Sequence, residues 1–92
     1  MSFTKDHLIN KHYDWSIKPM HNAITDTPDR RLFDRQNGNQ ILYIINFFGH
    51  SVGNLTIDDG QKIEDLIMNQ LPAELKSEIA VFNWLLGKYL YN

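Results

Sequence analysis

Four histidines are the first candidates for chemistry, because imidazole binds metals and moves protons near neutral pH. His7 and His12 are five residues apart, which puts them about 140° around a helix, so they would not share a metal ion. A zincin-type site needs a spacing of about four, with glutamate beside the first histidine. His21 and His50 bring no third ligand with them. No metal and no cofactor are expected.

Nucleophiles and carboxylates lead to the same place. Ser2, Ser16, Ser51 and Ser77 lie in no nucleophile elbow or lysine-paired motif, and His50 next to Ser51 is not a triad. Asp58-Asp59 and Glu64-Asp65 are paired acids, but consecutive residues on a helix diverge by about 100°, and acids at a helix start serve its dipole. Gly49 and Gly53 bracket no phosphate loop, since the lysine and hydroxyl that must follow are missing. The run from Asp34 through Asn39 lacks the alternating acids and closing glutamate of a calcium loop. The chain is not expected to be an enzyme.

Two charged surfaces remain. One is basic and aromatic, with Tyr13 and Trp15 able to stack on a base and Arg31 and Arg35, at helical i, i+4 spacing, able to grip a phosphate. It would make the protein a small-ligand or nucleotide-binding module. The other is acidic: Asp58, Asp59, Glu64, Asp65, Glu74 and Glu78. Carboxylates in a row on rigid helices can imitate nucleic-acid phosphates and occupy a partner's basic cleft. The charge distribution leans that way: the first 46 residues carry six Lys/Arg and five Asp, whereas the rest carries three Lys and six acids. The net charge of −2 is nevertheless small for such a mimic, and gives no general attraction to nucleic acid or anionic lipid.

These groups need a scaffold, and 92 residues make one domain, 1–92. A composition of 42% hydrophobic and 12% aromatic residues suits a packed core. Cysteine is absent, which excludes thiol chemistry and disulfides and fits a reducing compartment. The first six residues carry no signal-peptide pattern, and the longest apolar run, near 41–48, is far short of a membrane span. A cytoplasmic location is the expectation, with no membrane association.

The periodicity predicts a mainly α protein, a compact bundle of four to five helices. Thr4 caps a first helix, stapled by Phe3 and Leu8, that runs until Pro19. Residues 20–26 connect it to a second start at Thr27-Pro28-Asp29. Phe33, Ile41, Ile44, Ile45 and Phe48 keep helical spacing from there, interrupted at Asn37-Gly38. A short β-hairpin around Asn37-Gly38, with 41–45 as a strand, is the alternative. Thr56 caps the next helix, whose buried edge is Ile63, Leu66, Ile67 and Leu71. Pro72 opens the last, with Leu75, Ile79, Phe82, Leu86 and Tyr89 as its core stripe.

That last helix is more apolar than one core face requires. Either this is a central helix buried on most sides, or Val81, Trp84, Leu85, Leu90 and Tyr91 are left over as an interface, with a homodimer as the simplest closed arrangement; Phe82 and Trp84 anchor the core or that interface. The expected function is a non-enzymatic regulatory or inhibitor protein whose partner is another protein, with no direct contact to nucleic acid.

Overall fold

The computed structural model describes residues 3–16, 27–53 and 55–91, with the side chains of Leu90 and Tyr91 outside that description. The expected helix stop at Pro19 and the connector at 20–26 lie outside the described residues. Three α-helices organise the rest: α1 (Gly38–Val52), α2 (Ile57–Asn69) and α3 (Glu78–Tyr91). The bundle is thus mainly helical, but with three α-helices among the described residues rather than four or five.

Asn37-Gly38 begins a helix and turns no hairpin. The Asn37 side chain accepts from the Gln40 amide at 3.2 Å, which is an N-cap, and the chain runs helically until Gly53 at φ 77°. Residues 41–45 are therefore helix, and no strand is present among the described residues. Ile41, Ile44, Ile45 and Phe48 recur at i, i+3, i+4 and i+7 and are all completely buried. On α2, Thr56 and Asp59 form a capping box as each side chain bonds the other's backbone N–H. Ile63, Ile67 and Leu71 face the core, with Leu66 half-buried. Both α2 and α3 pack on α1.

The first expected helix is reduced to one 3-10 turn, Lys5–His7. Three kinds of competitor explain why. The Asn10 side chain accepts from the His12 amide and that of Asp14 from the Ser16 amide, turn bonds that divert the backbone from a helical ladder. Glu64 on α2 takes the N–H groups of Ile9 and Asn10. The Asp14 amide donates to the Gln36 carbonyl instead of to residue 10. The second expected start fails similarly, because Asp29 accepts from the Arg31 amide and Asp34 from the Gln36 amide. Residues 27–36 are non-helical, and Leu32 pairs with Ser77 in an isolated antiparallel bridge.

Helix α3 starts six residues later than Pro72. The Leu71 and Pro72 carbonyls accept from Arg35 and the Lys76 carbonyl accepts from the Phe33 amide, so these groups are committed elsewhere. Ser77 then caps α3, its hydroxyl accepting from the Ala80 amide. The helix is also rotated from the expected register. Glu78, Val81 and Leu85 are completely buried, whereas Ile79, Phe82 and Leu86 are half-buried and Tyr89 is exposed. Phe82 fills an aromatic corner instead, edge-on to Phe47 and Phe48 with centroids 5.3 and 6.1 Å away.

Candidate functional site

Two carboxylates expected on an acidic surface are inside the protein. Glu64 is 2% exposed and accepts from the Ile9 amide at 2.8 Å, the Asn10 amide at 3.2 Å and the Tyr13 hydroxyl at 2.6 Å. Glu78 is fully buried, accepts from the Gln40 side chain at 2.8 Å and lies 3.8 Å from the Arg31 guanidinium. Burying a carboxylate is costly unless donors surround it, and here they do. Asp58 and Asp65 stay exposed, Asp59 is engaged in its capping box, and exposed Glu74 sits in the turn before α3. Glu74 and Glu78 do not share a helix, and the six acids form no continuous array.

The basic-aromatic set is also dispersed. Tyr13 is buried against Glu64. Trp15 is half-buried, with Tyr13 edge-on at 6.2 Å and the Lys5 ammonium 4.6 Å from its ring centroid. Arg31 forks onto Asp29 beside Glu78. Arg35 reaches the end of α2 and donates to the carbonyls of Ile67, Leu71 and Pro72. Both arginines thus close internal backbone and carboxylate groups, and neither joins Tyr13 and Trp15 around a ligand.

The Tyr13–Glu64 pair makes stability depend on alkaline pH. Burial first, then the hydrogen bond to Glu64 and its negative charge, raise the Tyr13 phenol well above its ordinary value. An unfolded tyrosine ionises near pH 10. The contribution from Tyr13 is therefore complete below about pH 10 and declines as pH rises further, by at most about 1.4 kcal/mol per pH unit. Urea melts between about pH 9 and 11.5 should show this decline, and Tyr13→Phe should lessen it. An identical slope in the variant would assign the decline to other groups.

Of the expected interface residues, Val81 and Leu85 are core and cannot meet a partner, because rotation of α3 around buried Glu78 turns them inward. The side chains of Leu90 and Tyr91 lie outside the described residues. Trp84 is half-buried and packed partly on the core, with the Lys88 ammonium 5.7 Å from its ring centroid.

Leu32, which helical periodicity passes over, is 71% exposed. Two backbone bonds hold it outward, from the Phe33 amide to the Lys76 carbonyl at 2.7 Å and from the Glu78 amide to the Arg31 carbonyl at 3.0 Å. Phe33 points inward and Leu32 outward, as neighbours on an extended backbone must. Ser77, its bridge partner, stands about two helical turns before Trp84 on the same side of α3. Leu32 therefore stands exposed beside the start of α3, and Trp84 lies further along that helix with the Lys88 ammonium against its ring. An alternation of Arg31-Leu32-Phe33 was the available signal, masked by the helical reading of Thr27-Pro28.

Among the described residues, no three His, Asp or Glu side chains are grouped so that they could hold a metal ion. Among the same residues, no helix is long and apolar enough to cross a membrane. Comparison with protein-family models, curated proteins and solved structures finds no match to this chain.

Proposed function

We propose that this chain is a non-enzymatic regulatory protein of the cytoplasm that acts by binding another protein through the face bearing Leu32 and Trp84. The observation that carries this reading is Leu32, a leucine 71% exposed on backbone that is hydrogen-bonded on both sides. Isolated exposed leucines are ordinary. We read it together with half-buried Trp84 further along α3, because an exposed aliphatic and an aromatic with a charge at the edge are the composition of a docking centre. The acid-mimic form of the idea loses support with the burial of Glu64 and Glu78.

Leu32→Asp tests the proposal. Leu32 packs on little, so the change should alter folding stability by under about 0.5 kcal/mol. Affinity capture from extract of the native cell, read by mass spectrometry, should show a protein retained by the wild type and lost by the variant. An identical set retained by both, with circular dichroism unchanged, would remove this face from consideration.

A further inference from the structure

Residues 3–16 lie over α1 and α2 with one 3-10 turn as their only helical structure. Side chains on the two helices hold their backbone directly. Asn46 grips Phe3 at both ends, accepting from its N–H at 2.7 Å and donating to its carbonyl at 2.8 Å. Gln61 donates to the His7 carbonyl at 2.9 Å. Glu64 accepts from the amides of Ile9 and Asn10. Hydrogen bonding to the backbone of a segment in this way is how a groove holds a peptide.

Pockets for side chains accompany that grip. A Cβ on Gly60 would stand 2.4 Å from the Phe3 ring, and one on Gly38 would stand 2.7 Å from the Trp15 ring. Each glycine therefore lets an aromatic lie against helix backbone. Phe3, Leu8 and Tyr13 are buried between these ends. The groove thus recognises phenylalanine, leucine, tyrosine and tryptophan in the spacing of positions 3, 8, 13 and 15.

We propose that this groove is a docking site for residues 3–16 of a second copy of the same chain, so that two copies exchange these segments reciprocally. The occupant follows from the fit, since a second copy presents the same four anchors in the same spacing. Exchange recreates every contact named above and leaves only the connection to be rerouted. That connection is 17–26, ten residues long, which extended reach about 33–36 Å, while the molecule measures 34 × 28 × 27 Å. An intramolecular segment competes at an effective concentration on the order of millimolar. The monomer therefore dominates at micromolar concentration, and the exchanged dimer grows toward millimolar.

Two full-length variants test this. Phe3→Asp with Leu8→Asp spoils the segment and leaves the groove intact; Asn46→Ala with Glu64→Ala spoils the groove and leaves the segment intact. Only an exchanged pair of the two contains a site with both wild-type halves. On mixing at high concentration, native mass spectrometry should show the heterodimer exceeding the two homodimers by tenfold or more. A statistical mixture, which is what pairing through the Leu32 and Trp84 face would produce, overturns the exchange, as does a mixture of monomers. Should either variant unfold alone, helical circular dichroism must return on mixing; failure to return, with the wild type folded at the same concentration, overturns it equally.

Discussion

Glu64→Ala should lower the unfolding free energy by about 3–5 kcal/mol, the range found when one member of a buried charged network is removed. The carboxylate answers three donors, two of them consecutive backbone amides. Each buried donor left without an acceptor costs about 1–3 kcal/mol, partly recovered where water enters. Glu64→Gln should be costly too, because its amide nitrogen would face donors. Tyr13→Phe, which removes one donor and leaves the carboxylate, should cost only about 1 kcal/mol at neutral pH. Urea denaturation checks all three. A loss under about 1 kcal/mol for Glu64→Ala would mean that residues 9–13 are not held as described.

Phe48→Ala should be comparably damaging, at about 3–5 kcal/mol. Phe48 is completely buried on α1, and its ring is the edge-on neighbour of both Phe82 and Tyr89 on α3, with centroids 6.1 and 5.2 Å away. Truncation opens a cavity between the helices and strips two aromatic contacts at once. Phe82→Ala should cost less, since Phe82 is only half-buried. A domain of this length holds roughly 5–14 kcal/mol in total. Either large substitution thus takes a substantial share of the margin, visible as an earlier urea midpoint; equal losses at Phe48 and Phe82 would contradict the placement of α3.

Helix α2 was legible because pattern and chemistry agree in it, whereas on α1 only the buried stripe was, since Asn37-Gly38 suits a hairpin turn as well as the helix start it makes. Thr56 with Asp59 marks a start, and Ile41, Ile44, Ile45 and Phe48 mark a buried stripe, without help from distant residues. Residues 3–16 and 27–36 misled because Asn10, Asp14, Asp29 and Asp34 each bond the amide two positions on. Short polar side chains at those positions favour turns, and that preference outweighed a weak helical spacing. The rotation of α3 was illegible for a different reason. A helix apolar on most sides offers no preferred face, and Glu78 settles its orientation by meeting Gln40, 38 positions earlier. The same signal hid the candidate surface, since Leu32 is conspicuous only once its segment is extended.

Arg35 closes the end of α2 from 32 to 37 positions away, and Glu64 reaches back 51 to 55. A protein built of helices ordinarily folds through neighbouring contacts and does so fast. Here the groups that terminate α2, orient α3 and seat residues 3–16 come together only after long loops have closed, each at an entropic cost incurred before its contacts form. Its folding is therefore expected to be slower than its helix content alone implies, which stopped-flow refolding would measure.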